Sequence, residues 1–317
     1  MRVSVHIVTF NSASVIGQCL ENVFMSEFPI EEIVVVDNNS SDDTCDLLER
    51  EYKNRIRLIK NERNVGFAEA HNQAIRTTTT DYFVVLNPDV ELSPDYISKI
   101  VSKMSADVVL GMGTGKLIRK SDPRLIDTTG ICITRSRRAF DRGSMRPISE
   151  YRENKIVFGV SGAAAVYSRR MTKDIEINGD FFDSKFFAYK EDVDVSWRAN
   201  LLGWKAIYVA DATGYHERGW KEGGRRNMPI MIRKYSYINR YRMMLKNETW
   251  VSFLCHLPYI VAFEFVMLCF MLLKDREVFP AWRDLLCELD EVISVRKQIR
   301  LKRRKTNKEI LDFLHLQ

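Results

Sequence analysis

The sequence predicts an α/β protein with a mixed, mostly parallel sheet, followed by a helical region. From residue 2 to about 113, short runs rich in Val and Ile alternate with segments of helical spacing, which is typical of successive β-α units. Polar residues cluster directly after these runs, where open α/β sheets bind their ligands. From residue 236 the composition turns apolar and then basic. We therefore expect one domain over residues 1–235 and a membrane-associating helical region over residues 236–317.

The elements follow in order along the chain. Apolar runs predict buried strands at 3–9, 32–36, 56–60, 82–86 and 108–113. Helical spacing between them predicts helices at 14–28, 44–52, 66–77 and 94–104. Residues 119–155 lose this pattern and are rich in Arg, Asp, Ser and Pro, so we predict a long excursion over the ligand site. A strand at 160–168, a helix at 191–202 and a strand at 205–209 complete the domain.

Composition excludes several classes of protein. With 45% hydrophobic residues in a chain of 317, disorder is not expected. The net charge is +6, but much of the excess lies in the last twenty-five residues, so the body is nearly balanced and no nucleic-acid partner is expected. Six scattered cysteines without a Cys-x-x-Cys pair indicate reduced thiols, and the strand-like start MRVSVHIVTF lacks an export leader. We expect a cytoplasmic protein.

Two acidic residues lie where predicted strands end. Asp37 closes IVVVD and precedes a polar turn, so its carboxylate can accept a hydrogen bond from a nucleoside. Asp89 lies in LNPDV, where Pro88 stiffens the turn, and a carboxylate there can hold a hard cation against a diphosphate. Considered singly, each residue is better explained as part of an ordinary turn. Their alignment with other strand ends favours a ligand site.

The stretch 61–75, NERNVGFAEAHNQAI, places Gly66 at the start of a predicted helix. A missing side chain there lets a ligand approach the backbone. Asn64 and Asn72 could then hold the nucleoside. In the alternative interpretation, Gly66 shapes the entry turn and Asn72 lies on a solvated helix face.

The sequence FFAYKEDVDVSWR, 186–198, brings Glu191, Asp192 and Asp194 to the start of a helix behind an aromatic run. A helix N-terminus stabilises anions, so a carboxylate there stays ionised and can accept a proton. Three acids in a first turn also complement an ordinary helix dipole. The aromatic run beside them favours a sugar site.

Two further features follow the strand KAIYV. His216 lies beyond its end, and a neutral imidazole can complete the coordination of Mn²⁺ beside a carboxylate, although a lone histidine is usually a surface or core residue. The basic glycine loop KEGGRR, 221–226, can fold over a diphosphate. Its simpler interpretation is a solvated loop.

The apolar stretch 250–273, WVSFLCHLPYIVAFEFVMLCFMLL, is nominally long enough to span a bilayer. It contains His256, Pro258 and Glu264, and a charge at mid-membrane costs roughly 3 kcal/mol, so peripheral attachment is the favoured interpretation. The basic residues that follow can attract an anionic membrane surface, which gives two attachment signals. The alternative is a helical hairpin that packs on the domain or on a second copy in a homodimer.

Five motifs occur in one order: VHIVTFN, IVVVDNNSSDDT, NVGFAEAHNQAI, LNPDV and KEDVDVSWR. In this order and spacing they resemble glycosyltransferase family 2, and particularly its bacterial rhamnosyltransferase-like branch, over roughly residues 3–247. The segment YINRYRMMLKN and the apolar-then-basic tail are also similar to that branch, in which such segments hold the enzyme at the inner membrane. The resemblance implies a GT-A (nucleotide-diphospho-sugar transferase) fold, with its catalytic domain over residues 1–235.

The resemblance also implies roles for single residues. The nucleoside site would be lined by Thr9, Asn11, Asp37 and Asn64. Asn87 stands where the family's Asp-x-Asp motif has its first acid and is assigned to the donor side together with Gly66 and Asn72. Asp89 would bind the metal, with His216 matching a metal-binding histidine of related galactofuranosyl enzymes. Asp192 would be the general base, and Glu191 would position the acceptor.

The implied activity is inverting, non-processive sugar transfer that depends on Mn²⁺ or Mg²⁺. The donor would be a dTDP or UDP sugar, with rhamnose favoured, and the acceptor a glycan or a polyprenyl-diphosphate-linked glycan in cell-surface polysaccharide synthesis. The enzyme would act on the cytoplasmic face of the membrane. No Gln-x-x-Arg-Trp motif follows, which argues against a processive synthase.

Two other classes of protein fit less well. A non-catalytic module that binds nucleotide sugar or glycan at the membrane is disfavoured because Asp89 and Asp192 are both present. A nucleotidyltransferase would need a glycine-rich basic loop directly after the first strand, where the sequence reads TFNSASVI.

Overall fold

The computed structural model describes residues 1–217 and 228–314. Its strands are β1 Val3–Thr9, β2 Glu32–Asp37, β3 Arg57–Lys60, β4 Tyr82–Leu86, β5 Val90–Leu92, β6 Leu110–Arg119, β7 Ile126–Thr128, β8 Ile131–Ile133, β9 Ala139–Asp141, β10 Lys155–Val157, β11 Ala164–Ser168 and β12 Lys205–His216. Its α-helices are α1 Ile16–Phe24, α2 Thr44–Leu47, α3 Gly66–Thr77, α4 Tyr96–Ala106, α5 Arg169–Ile175, α6 Glu191–Leu201, α7 Ile230–Asn247, α8 Trp250–Lys274, α9 Ala281–Cys287, α10 Leu289–Lys302 and α11 Asn307–Phe313. A π-helical turn, Leu48–Tyr52, continues α2.

A mixed sheet organises the domain. β4, β1, β2 and β3 are parallel neighbours in that spatial order. β11 joins β4 and β6 in antiparallel pairs, and β6 is parallel to β12. β5 and β10 pair with β12, and β7 pairs with β6. The predicted α/β fold with a mixed sheet is confirmed.

The register of the central strands brings the ligand-binding ends together. Thr9 lies opposite Asp37, and Ile7 lies opposite Leu86. Leu86 in turn lies opposite Ala164, the first residue of β11. The carboxyl ends of β1, β2 and β4 and the turn before β11 therefore open on one edge of the sheet.

Helices cover both faces of the sheet because each carries one apolar stripe. In α1 the buried residues are Ile16, Cys19, Leu20 and Val23, the spacing of an amphipathic helix. α1 and α4 pack on one face, while α3, α5 and α6 pack on the other. Each buried Val, Leu or Ile side chain contributes about 1.5–3 kcal/mol to folding, so these stripes fix the helices on the sheet.

Several element boundaries differ from the predicted ones. β6 continues to Arg119 and β12 to His216, well past residues 113 and 209. The predicted helix 14–28 is shorter, and the predicted strand 160–168 begins only at Ala164. The excursion 119–155 contains β7, β8, β9 and the start of β10. These strands of three residues are too short for a periodic pattern, and pairing with neighbours holds them.

The C-terminal helices share the core of the domain. Ile299 of α10 and Ile310 and Phe313 of α11 lie in the same buried cluster as Trp197 of α6. The predicted boundary between residues 235 and 236 falls inside α7. The C-terminal helices therefore pack against the domain and share its hydrophobic core.

α8 docks through its polar side. Buried Arg137, at the turn between β8 and β9, forms an ion pair with Glu248 and donates to Ser252 Oγ at 2.7 Å. Glu264 accepts from Arg240 and, at 2.6 Å, from Tyr241. The opposite side, the apolar face of α8, is exposed and comprises Trp250, Leu254, Val261, Phe265, Leu268 and Leu272. Among the described helices, α8 is long and apolar enough to cross a membrane by length and composition.

Candidate active site

The ends of β1 and β2 form a polar cradle around Asp37. The Asp37 carboxylate is buried and accepts hydrogen bonds from Thr9 Oγ1 at 2.9 Å, from Ser40 Oγ at 2.6 Å and from the Ser40 backbone N–H at 2.9 Å. The Cys45 thiol also interacts with this carboxylate, and burial together with the hydrogen bond and charge of Asp37 raises the pKa of Cys45 to about 11. Asn11, at φ 53°, accepts from the Ser41 N–H at 2.8 Å and closes the cradle. Three of the residues predicted for the nucleoside, Thr9, Asn11 and Asp37, therefore lie together.

The turn before α3 completes this side through Asn64, whose side chain accepts from the Gly66 N–H at 2.9 Å. Gly66 has φ +85°, and a Cβ there would lie 2.6 Å from the Phe187 carbonyl oxygen. The close approach that requires glycine comes from Phe187, and the approach of a ligand to this backbone stays a prediction.

Asn72 also departs from its predicted role. Its side chain is buried in the core, where it donates to the Phe182 carbonyl at 2.7 Å and accepts from the Phe182 N–H at 2.9 Å. Both ends of the amide are thus occupied by backbone. Asn72 anchors the 181–182 segment to α3, and its amide is not free to hold a nucleoside.

A second cluster forms where β5 pairs with the end of β12. Val90 lies opposite His216, which brings the His216 Nε2 atom to 3.4 Å from Asp89 Oδ1. Asp89 Oδ1 is buried and forms an ion pair with this imidazole when His216 is protonated. A metal ion could take the place of the proton between the two side chains. The predicted pair Asp89 and His216 is close in space.

Asp127, from the excursion, holds the other side of the histidine. It is fully buried, and its Oδ2 lies 2.8 Å from His216 Nδ1. Burial alone would lower the pKa of His216, but the hydrogen bonds and charges of Asp127 and Asp89 outweigh it and raise that pKa to about 9. Sequence reasoning missed Asp127, since no motif surrounds it.

The first turn of α6 supplies two carboxyl groups. Asp192 accepts from the Gly162 N–H at 3.1 Å and from the Val193 N–H at 2.8 Å. Glu191 is buried, and its Oε2 has no hydrogen-bond partner among the described residues. Burial raises the pKa of both groups, and the charge of Asp192 helps to raise the pKa of Glu191 well above its ordinary value. Glu191 therefore retains its proton more readily than Asp192.

Asp194 has a structural role. It accepts from Arg198 at 3.0 Å, from Lys246 at 2.9 Å and from the Asn247 side chain at 2.7 Å. These contacts join α6 to α7.

A short backbone path connects the two chemical clusters. The Asn87 N–H, in the turn that carries Asp89, donates to the Ala163 carbonyl at 2.9 Å. The adjacent residue, Gly162, donates to Asp192. The turn that carries Asp89 and the Asp192 carboxylate are thus hydrogen-bonded to the adjacent residues Ala163 and Gly162. This arrangement suits a reaction between two ligands bound side by side.

A family model described as glycosyl transferase family 2 matches residues 4–176, more than half of the chain. The chain belongs to glycosyltransferase family 2. It is a glycosyltransferase.

Known relatives and solved structures agree with this assignment. The N-acetylglucosaminyl-diphospho-decaprenol L-rhamnosyltransferase of Mycobacterium tuberculosis is 26% identical over 226 residues, which cover 62% of this chain and 70% of that one. Residues 1–349 of TarS of S. aureus, solved with UDP-GlcNAc, match with a TM-score of 0.62 at 16% identity, and the match covers 99% of this chain and 89% of that fragment. The mannosyltransferase PcManGT of Pyrobaculum calidifontis, solved with GDP-Man and Mn²⁺, matches with a TM-score of 0.54 at 18% identity. The match covers 99% of this chain and 84% of that one. These structures establish the GT-A fold.

The turn that precedes α6 in this glycosyltransferase is held by a residue that sequence reasoning missed. Phe187, Tyr189 and Lys190 all have positive φ, a costly backbone for non-glycine residues. Asn239 of α7 donates to the carbonyls of Phe186 at 2.8 Å, Ala188 at 3.0 Å and Tyr189 at 2.8 Å. α7 therefore fixes the entry to the helix that carries Glu191 and Asp192.

Replacing Asn239 with Ala should lower both stability and activity. Three carbonyls would lose their donor, which costs about 1–3 kcal/mol for buried groups, and the turn before Asp192 would lose its support. We expect a melting temperature several degrees lower and a reduced kcat, measured by thermal unfolding and by donor turnover. Asn22→Ala is the matched control, since the Asn22 side chain bonds only the Gln18 carbonyl of its own helix among the described residues. An unchanged melting temperature for Asn239→Ala would contradict the inference that Asn239 holds the turn before α6.

The predicted diphosphate loop, 221–226, lies outside the described residues.

Proposed function

We propose that this glycosyltransferase moves one sugar, with rhamnose favoured, from a dTDP or UDP donor to a glycan or polyprenyl-diphosphate-linked glycan, with inversion at the anomeric carbon. The observation that carries the proposal is the arrangement of two clusters on one edge of the sheet. Asp89 and His216 form one, and Glu191 and Asp192 form the other. The M. tuberculosis relative, named for rhamnosyl transfer to a diphospho-decaprenol acceptor, supports the choice of sugar and acceptor.

Asp89 and His216 fit a divalent metal, Mn²⁺ or Mg²⁺. Asp89 Oδ1 and His216 Nε2 would provide one oxygen and one nitrogen ligand, a donor set that suits Mn²⁺. Because the pKa of His216 is raised to about 9, the metal would have to displace the proton of its imidazole. Within residues 1–217 and 228–314, no group of three or more His, Cys, Asp or Glu side chains is arranged to hold a metal. The remaining ligands would therefore come from the donor diphosphate and water, as is common for Mg²⁺ in phosphate sites. When bound, the metal would neutralise charge on the departing diphosphate.

The chain's own residues divide the proton chemistry. Asp192 accepts the proton of the acceptor hydroxyl while that oxygen attacks the anomeric carbon from the face opposite the nucleotide. Burial raises the pKa of Asp192, which makes it a stronger base than an exposed aspartate. Burial and the charge of Asp192 raise the pKa of Glu191 well above its ordinary value, so Glu191 is the carboxyl group suited to donate a hydrogen bond to the acceptor. Asp37 and Asn11 would hold the nucleoside.

The proposed place of action is the cytoplasmic face of a membrane, with peripheral attachment. The apolar face of α8 is exposed while the polar side docks on the domain. Such a helix is suited to lie in the plane of a membrane surface.

A donor-hydrolysis screen tests the function. Purified protein would be incubated with Mn²⁺ or Mg²⁺ and dTDP-rhamnose, UDP-galactose, UDP-glucose, UDP-N-acetylglucosamine or GDP-mannose. We expect metal-dependent release of one nucleotide, with dTDP-rhamnose favoured. If no donor is hydrolysed and calorimetry detects no donor binding, the proposed reaction is wrong.

Asp127→Asn should weaken metal binding although Asp127 contacts no substrate in this proposal. The carboxylate orients His216 through Nδ1, and outer partners of metal-binding histidines typically affect affinity by about 10–100-fold. We expect a Mn²⁺ dissociation constant raised by roughly that factor, measured by titration calorimetry in the presence of nucleotide diphosphate. Asp127→Glu should recover part of the affinity. Unchanged Mn²⁺ affinity in Asp127→Asn would contradict the positioning role.

A further inference from the structure

A pocket of about 190 Å³ lies where the junction of α7 and α8 meets α10 and α11. Its lining includes Arg296, Arg300 and Arg303 from the basic tail and Trp250 and Val251 from the start of α8. We call it the arginine pocket. It lies away from the sugar-transfer residues, none of which line it.

The structure sorts the basic tail into two groups. Some of its basic side chains already have partners within the protein. Arg304 forms an ion pair with Asp174 at 2.7 Å, and Lys305 forms one with Glu309 at 2.7 Å. Lys302 donates hydrogen bonds to backbone carbonyls. The three arginines of the pocket have no acidic side chain of the described ranges within ion-pair distance, and they line one cavity together. The positive charge of the tail that is not paired with an acid is thus partly concentrated in the arginine pocket.

The positive charge in the arginine pocket is crowded and oriented. Arg296 donates to the Leu245 carbonyl at 2.6 Å and Arg303 to the Asn307 side chain at 3.1 Å, which fixes both guanidinium groups. Burial and the charge of Arg300 lower the pKa of Arg296. Glu248 also lines the pocket, but its carboxylate is engaged by buried Arg137. Three guanidinium groups beside one carboxylate that is already paired with Arg137 leave the pocket with net positive charge, which favours binding of a phosphate.

The pocket is continuous with the apolar face of α8. Trp250 is 65% exposed and belongs to both. The other residues of that face follow at helical spacing along α8, ending at Leu272. A tryptophan beside a basic group is the combination found where proteins meet the membrane–water interface.

We propose that the arginine pocket binds the phosphate of an anionic phospholipid headgroup while the apolar face of α8 lies at the acyl-chain boundary. The inference rests on the membrane attachment proposed above and specifies how it is achieved. An anionic bilayer offers phosphate and hydrocarbon side by side, which matches the pocket and the helix face. A second copy of the chain is a poorer match, because a two-fold contact would bring the same arginines against each other.

Vesicle cosedimentation of the full chain tests the proposal. The wild type is compared on vesicles of phosphatidylcholine alone and of phosphatidylcholine mixed with phosphatidylglycerol. The pocket variant is Arg300→Gln/Arg303→Gln, and the matched control is Lys297→Gln/Lys308→Gln, which removes the same charge from the same tail outside the pocket. We expect the wild type to prefer the anionic vesicles, the pocket variant to lose about tenfold or more in affinity and the control to lose clearly less.

Each other outcome has a defined meaning. Equal losses in the two variants would overturn the pocket and indicate diffuse attraction, with membrane attachment intact. A wild type that binds neither vesicle and is dimeric by light scattering would overturn the attachment as well. Thermal unfolding verifies that both variants fold. Nucleotide release in solution is measured in parallel, so failure of the lipid site and failure of the proposed reaction are separately visible.

Discussion

Asp192→Asn should lower kcat by about 10²- to 10⁴-fold, the usual contribution of a positioned general base. The amide cannot take the acceptor proton, yet it can still accept the hydrogen bond from the Gly162 N–H, so the turn should keep its shape. Donor affinity should be unchanged, because Asp192 is not among the residues proposed to hold the nucleoside or the metal. The measurement pairs initial rates with donor titration by calorimetry.

The control is Asp95→Asn, which changes the N-cap acid of another helix, α4, whose ion-pair partner is Lys99. It should retain wild-type kcat. The raised pKa of Asp192 adds a second test. A base must be deprotonated, so kcat should fall as the pH drops through that pKa, and this acid limb should lie above the range of an exposed aspartate. Asp192→Asn turning over at the wild-type rate would remove Asp192 from the mechanism.

Asp89→Ala should abolish metal-dependent release of the nucleotide. Asp89 supplies the oxygen ligand in the proposed metal site, and metal stabilisation of a departing diphosphate contributes several kcal/mol, so a loss of about 10³-fold is expected. Unlike Asp192→Asn, this variant should also lose most of its Mn²⁺ affinity. Rates and Mn²⁺ titrations distinguish the two variants.

Asp107→Ala serves as the control for Asp89→Ala, since Asp107 is an exposed acid in another turn, bonded locally to Val109. It should bind Mn²⁺ and turn over like the wild type. Full activity of Asp89→Ala without added metal would show that the reaction does not use this site.

The sequence predicted the bounds of strands and helices best where the signal lies within the element itself. The apolar runs located β1 and β4 to the residue, and the helical spacing located α3 equally well. The ends of β6 and β12 were missed because their later residues pair with neighbours distant in sequence, and local composition does not report such pairing.

The site shows the same division between local and distant signals. Asp89, His216 and the Glu191–Asp192 pair carried motif or strand-end signals, and the structure brings each pair together. Asp127 carried none, since its partner His216 is 89 residues away. Asn72 carried a misleading one, because an amide that binds core backbone has the same helical position as one that faces a ligand.

The contacts of Arg137 limit where the chain can be truncated for expression. Arg137 is a fully buried cation in the hairpin of β8 and β9, and its counter-charge, Glu248, together with Ser252 and His256, comes from the start of the apolar region. Removing one partner of a buried ion pair typically costs about 3–5 kcal/mol. An expression boundary after α7, chosen to remove the apolar helix and improve solubility, would strand this guanidinium in the interior. Detergent or lipid, rather than truncation, is the appropriate way to handle the exposed face of α8.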